Sequence, residues 1–477
     1  MIGSRKNTNR ENSDKMENFI HYIKAQFDTL ATQLPNDKEG KISDLRQQAL
    51  DVILSKGLPT SKDELWRHYP IEKNLECNYD IQSAADPYKP VEEYFKCNVH
   101  HIDTYMFTIL NGWYAHQNAP LTTFPNGVIV GSIFAAISQY PELVLKNLSQ
   151  CQSDKADNFV KLNEAFFNDG IFIYVPDNIV VEKPMQLVSI INSKQNLMVH
   201  NRNLIVLGKH ASLSLVQCDD SLQFGKTFIN NVTEIVLEEG ATMNFYKMEN
   251  KDVQSLLINH IFIHQKGFSR FYSNAVTFNA GFLRNMIHVN LKEPFAEAKL
   301  YGLYLVDKKQ FVDNHVYVNH AAPDCTSYQL YKGIADDESR ANFNGHIVVR
   351  PYAQRTSAFQ TNKNITLTDE AKITTKPFLE IYADDVKCSH GTSTGQLDQE
   401  AMFYMQQRGI SKKDARMLLM YAFAAEISNH IAIEDLRIHI DDMIKRRLRG
   451  ELSSCENCIL RCSHPKEYNF DIDYSKI

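Results

Sequence analysis

Between residues 170 and 395 the chain runs for more than two hundred residues as short β-rich segments, each ended by Gly, Asn, Asp or Lys, without any stretch of helical periodicity. A doubly wound α/β fold needs helices between its strands, so this pattern excludes it. An internal echo narrows the choice further. Leu204-Ile205-Val206-Leu207-Gly208-Lys209-His210-Ala211-Ser212-Leu213 matches Glu234-Ile235-Val236-Leu237-Glu238-Glu239-Gly240-Ala241-Thr242-Met243, and Ile365 to Ile373 gives a third copy with Ala371 at the same offset. In each copy a strand meets a short polar turn, a small Ala follows, and a new alternating strand begins. A small residue suits a corner packed tightly against the next layer. A two-sheet sandwich is the competing arrangement, but the recurring strand-turn-Ala-strand unit favours a stacked parallel β-solenoid over residues 169–396.

Helical patterns flank this region. Residues 1–15 read as a disordered leader and 16–168 as a mainly helical N-terminal domain. Phe19, Ile20, Ile23, Phe27, Leu30 and Leu34 follow helical spacing up to Pro35, and Ile42 to Lys56 repeats it up to Gly57. Ser61 with Glu64 has the form of a capping box. Val128 to Val130 is expected as a strand, and Ile133 to Leu148 and Ala156 to Asn168 as helices. After the β region, residues 397–450 form a C-terminal helical domain in three parts: Gln396 to Gln407, a helix capped by Ser411 and carrying Met417, Leu418, Tyr421, Ala424 and Ile427, and a helix over Ile433 to Leu448. The last ends in Lys445, Arg446, Arg447 and Arg449, read as a solvated terminus whose cations complement the helix dipole. Residues 451–477 form a Cys-containing tail.

A net charge of -6 gives no global case for nucleic acid as a partner. The polar start lacks the apolar core of a secretory signal and no run of eighteen apolar residues occurs, so a cytoplasmic protein is expected, without a membrane association. Nine cysteines spread through 477 residues suit reduced thiols better than a disulfide framework.

The junction between the β and helical regions carries the densest chemistry. In Asp384-Asp385-Val386-Lys387-Cys388-Ser389-His390-Gly391 a thiol and an imidazole stand two residues apart, so an extended chain projects both to one face. Such a pair makes half of a site for iron, zinc or copper, or a nucleophile-base couple. A second candidate is Cys455-x2-Cys458-x3-Cys462-x-His464, four ligands within ten residues that can close around zinc or hold a cluster, or that form a tail of adventitious thiols. His288, His315, His320 and His346 fall in the β region, where Asp313-Asn314-His315 suggests acid-base work; polar ladders are common in solenoids, and the structural reading is preferred. The phosphate-binding pattern Gly-x4-Gly-Lys-Ser/Thr is absent, so ATP hydrolysis by the chain itself is not expected.

At Ile381 to Gly391, Met402-Phe403-Tyr404, Gln407 to Ile410 and Tyr421 to Glu426 the sequence resembles the SufB/SufD family of iron-sulfur cluster assembly proteins, most closely its SufD members. Upstream, Gly170 to Pro176 fits that family's entry into its β domain, and Glu64-Leu65-Trp66-Arg67 its N-terminal tryptophan motif. The resemblance implies a right-handed parallel β-helix between helical domains. It implies pairing with a SufB-like subunit, recruitment of a SufC-like ABC ATPase through the C-terminal helices, and ATP with magnesium on that ATPase. It assigns His390 to cluster assembly at the SufB-SufD interface and places Cys388 on a motif cysteine, both as possible ligands shared with the partner. Thr392 stands where the motif commonly has a smaller Ala. No cofactor is expected to be held stably by the chain alone, the nascent iron-sulfur cluster belongs to the complex, and a homodimer is expected when the partner is missing. Two other readings compete: a carbohydrate-active β-helix enzyme, which needs paired carboxylates or calcium along its groove, and an autonomous metal-binding protein acting through Cys455, Cys458, Cys462 and His464.

Overall fold

The computed structural model describes residues 2–30, 32–34, 40–67, 69, 71–90, 102–150, 155–222 and 225–450. Strands of nine to eleven residues follow one another from Leu197 to Gly395 and alternate between two sheets. Every strand therefore lies in register beside the strand two positions later in the chain, as in Leu204 with Glu234 and Ser212 with Thr242. Both sheets have ten strands and all neighbours within the coils are parallel, which makes the chain a parallel β-solenoid of about eight turns.

The corners explain the echo. Ala211, Ala241, Ser269, Ala296 and Cys325 occupy one corner column, each passing its carbonyl to the strand start of the next coil, as Thr242 N–H to Ala211 and Arg270 N–H to Ala241. They are buried, and a larger side chain there has no room. The residue before each small one takes a left-handed backbone: His210, Gly240, Phe268, Phe295 and Asp324. The third copy of the echo lies elsewhere. Ala371 follows a strand of the other sheet and stacks on Ser339 at the opposite corner, because a strand-turn-strand unit looks alike at both corners.

Alternate residues enter the lumen and pack as one long apolar core that includes Val199, Ile229, Leu257, Leu283, Leu300 and Phe343. A polar ladder crosses it. Asn231 donates to Asn259, Asn259 to Asn285 and Asn285 to Asn314, all at 2.9–3.1 Å. From the facing sheet Glu249 accepts from Lys247, Asn259, Thr277 and Asn285. Parallel stacking repeats identical amides at hydrogen-bond spacing, so the buried groups satisfy one another.

The N-terminal region packs on the outer face of one sheet through Phe19, Ile23, Ile53, Trp66, Phe159 and Phe166 against Met198, Phe228 and Ile258. Trp66 is its fastening: the indole N–H donates to Asp157 at 3.1 Å and the Arg284 guanidinium lies 3.8 Å from the ring. Several expectations change here. The first helix spans Ile2–Leu30 and so runs through the segment read as a disordered leader; once its second half is docked, adding turns costs little. No capping box forms, because Ser61 bonds Glu72 while Glu64–Trp66 is a short 3-10 turn begun by Asp63. The helix expected over 133–148 is divided at Pro141 into Ile133–Gln139 and Pro141–Asn147. Strands Tyr105–Leu110, Trp113–Ala115, Leu121–Thr123 and Ile129–Ser132 lengthen both sheets, two of them as antiparallel edges only three residues long.

The C-terminal helices Gln399–Gln407, Lys412–Ser428 and Glu434–Leu448 follow the last coil, and the latter two cover the outer face of the other sheet. Met420, Ala424, Ile427, Ile440 and Ile444 pack there on Phe278, Leu303, Leu305 and Leu330. Arg447 is a clamp rather than a solvated cation: it is buried, donates to the Phe278 carbonyl at 2.7 Å and pairs with Asp307 at 2.6 Å. Its long stem lets the charged head reach across the interface to carbonyls left at the sheet margin.

Candidate functional site at the open end of the solenoid

The two ends of the solenoid differ. At the start, each sheet closes on a three-residue antiparallel strand; at the finish, the ten-residue strands Lys372–Ile381 and Val386–Gly395 are both outermost, with no strand beyond them among the described residues. Short edges are poor templates for pairing, whereas a long bare edge presents a full row of unpaired backbone groups. Apolar side chains crowd the same end: Phe378, Ile381 and Tyr382 are exposed, and so are Tyr352 and Phe359 one coil below.

Cys388 and His390 lie on the outermost strand Val386–Gly395. Its register pairs Ala358 with Cys388 and Gln360 with His390, and because Ala358 and Gln360 are buried while Phe359 between them is exposed, both site residues stand on the lumen side. The shared face expected from alternation is therefore present, but the two positions differ. Cys388 is half-buried against the small cluster of Ile347, Ala358, Leu379 and Val386. Burial pushes its thiol pKa up, opposed by a backbone hydrogen bond from Ala358, so it is held as a thiol rather than as a ready thiolate. His390 is exposed at the rim. The corner leading into this strand is tied down by Arg355 N–H to the Asp385 carbonyl at 2.6 Å and by Asp385 N–H to Gln354 at 2.9 Å.

Two ligands do not complete a metal site, and among the described residues no group of three or more His, Cys, Asp or Glu is arranged to hold an ion. Cys455, Cys458, Cys462 and His464 lie outside the described residues. The β-region histidines have structural surroundings. His288 lies between Phe262 and Tyr317, His315 sits 2.9 Å from Asp313, which also holds Arg284, His320 bonds the Ser327 hydroxyl at 2.8 Å, and His346 lies 2.7 Å from Glu380. Burial lowers His288 and His320 to about 3, which keeps them neutral.

Sequence comparison assigns the whole architecture. Residues 16–187 match the model of the SufBD protein N-terminal region, and residues 189–423 match that of the SUF system FeS cluster assembly SufBD core domain. The chain belongs to the SufBD family. It is 28% identical to the iron-sulfur cluster assembly protein SufD of Escherichia coli over 417 residues, covering 86% of this chain and 94% of that one. A SufBD family protein of Synechocystis is 28% identical over 424 residues, covering 87% and 90%, and the SufD of Bacillus subtilis 24% over 445 residues, covering 88% and 100%. The chain is thus a SufD-like iron-sulfur cluster assembly protein, and its SufBD matches favour that role over carbohydrate processing. No described helix is long and apolar enough to cross a membrane.

The exposed Tyr352, Phe359 and Phe378 at the open end belong to no motif read from the sequence. Alternation marks Phe359 and Phe378 as outward-facing, but only the order of strands reveals that, among the described residues, no further strand follows at their end of the solenoid.

Proposed function

We propose that this SufBD chain is a non-catalytic scaffold subunit whose open solenoid end pairs with a SufB-like chain, and that the nascent iron-sulfur cluster is built at that junction with His390 as one ligand. The observation that carries the reading is the pair of ten-residue bare edge strands with His390 in one of them. A long bare edge is a ready template for pairing with another chain, and a half-set of ligands on it is completed by groups from that chain. Cys388, held as a thiol, contributes a ligand only if the partner or the iron draws off its proton.

The C-terminal helices supply the second docking surface. Phe403, Tyr404, Leu418 and Ile438 are exposed on them, the kind of apolar face expected to receive an ABC-type ATPase. Nucleotide hydrolysis then belongs to the partner, whose closure moves the helices and, through Asn274, Lys332 and Arg447, the sheet to which they are hydrogen-bonded. Without its partner the same edge is open to a second copy of the chain.

Replacing His390 by Ala tests this directly. The side chain is exposed, so the variant should fold and copurify with its partners while losing cluster formation in anaerobic reconstitution with ATP. Wild-type cluster yield from that complex would remove His390 from the reaction.

A further inference from the structure

We propose that Gln360 is a positioning residue for His390, supplying from inside the lumen the acceptor that holds one ring N–H and leaves the other nitrogen free for iron. The inference rests on the assembly role of His390. In-register pairing places Gln329, Gln360 and His390 in one lumen column on three successive coils. Both glutamines are buried, and neither carboxamide atom of either one is hydrogen-bonded. Buried amides are almost always paired, as the neighbouring Asn362 and Asn364 are, so a stacked pair left over beneath a candidate ligand calls for a partner.

The facing sheet shows how Gln360 is accommodated. Its amide lies over Gly345, where a Cβ would come within 1.2 Å of Nε2. The side chain makes no hydrogen bond in that seat, so turning one rung toward His390, about 4.8 Å along the stack, breaks none. His390 in turn has no side-chain hydrogen bond among the described residues. Imidazoles that bind metal nearly always give their second N–H to a carbonyl or carboxylate, which fixes the tautomer and the ring plane. Its neighbours on the same strand face, Cys388 and Thr392, offer a thiol and a hydroxyl; Gln360 offers the buried carbonyl. Gln329 stands one coil deeper and is placed to hold Gln360 once it has turned.

The test uses the full chain with 15N-labelled histidine, His390 being identified by its loss in H390A, together with reconstitution of the complex. In wild type the ring nitrogens should report one dominant tautomer. Q360L should bring the two tautomers toward equal population and lower cluster formation about 10- to 100-fold. Q360E, which keeps an acceptor, should restore most of both. Unchanged ring-nitrogen signals and unchanged yield in Q360L overturn the inference. A wild-type yield from H390A overturns the assembly reading instead; lost yield in H390A beside wild-type signals in Q360L overturns the Gln360 inference alone.

Discussion

Replacing Glu249 by Ala should test whether the polar ladder around it is dry and held by its hydrogen bonds. Glu249 is completely buried and accepts from Lys247 at 2.8 Å, Thr277 at 2.7 Å, and Asn259 and Asn285 at 3.1 Å each. Burial by itself would lower the Lys247 pKa, but Glu249 and Asp219 attract and bond the ammonium, and the net direction is up. Without Glu249, Lys247 keeps only Asp219, 3.7 Å away. Breaking a buried ion pair costs about 3–5 kcal/mol, because a charge is left uncompensated. Three neutral donors are also stranded at about 1 kcal/mol or more each, partly offset if water enters the space. A total of about 4–6 kcal/mol is expected. Glu249→Gln keeps the shape and an acceptor and should cost about half as much. Urea unfolding measures the difference, and hydrogen exchange should locate it in strands Thr242–Asn250, Ser255–Gln265 and Phe282–Leu291. A Glu249→Ala protein within about 1 kcal/mol of wild type would refute the reasoning and show that the ladder is solvated.

Burial raises the Asp169 carboxyl from its usual 3.8 to about 6 despite hydrogen bonds from Ser132 and from the Tyr114 and Gly170 amides. Its folded form holds a proton the unfolded chain has released, so this group's contribution to stability falls as pH rises from about 4 to 6, by about 3 kcal/mol. Asp169→Asn should lack that dependence. His200, His288 and His320 act in the opposite sense, being held near 3 by burial and costing stability as pH falls below 6.5, so the measurement is the difference between variant and wild type in chemical denaturation. Arg447→Ala should free the helix Glu434–Leu448 at a cost of about 2–4 kcal/mol, read as faster hydrogen exchange there than in the strands beneath. Exchange that stays slow in this helix would show that apolar packing alone holds it. Among the described cysteines, iodoacetamide with peptide mapping should label exposed Cys77 before half-buried Cys388 and should spare buried Cys218 and Cys325, the latter with its thiol raised to about 11. Fast labelling of Cys388 would contradict its seat in the end cluster.

Much of this protein was readable before its structure. The solenoid followed from strand-length runs and the Ala211/Ala241 echo, because a corner tolerates only small residues and so repeats them with each coil. Ser411 and the apolar spacing after it located the helix Lys412–Ser428 in the same way. Expectations failed where tertiary contacts override local signals. Ser61 gave up its cap because Glu72 competes for it, Ala371 copied a pattern belonging to the other corner, and Arg447, a surface cation by composition, found carbonyls and a carboxylate across an interface.

The motif around Cys388 and His390 shows where the division falls. Sequence alone determined that the two residues share a face, since a strand alternates side chains whatever surrounds it. Tertiary structure decided that the strand is the last of its sheet, that Cys388 is packed as a thiol while His390 stands free at the rim, and that the unpaired amides of Gln360 and Gln329 lie beneath it. Those facts depend on which coil is the last and which side chains stack beneath it, and the pattern within one strand does not record its neighbours.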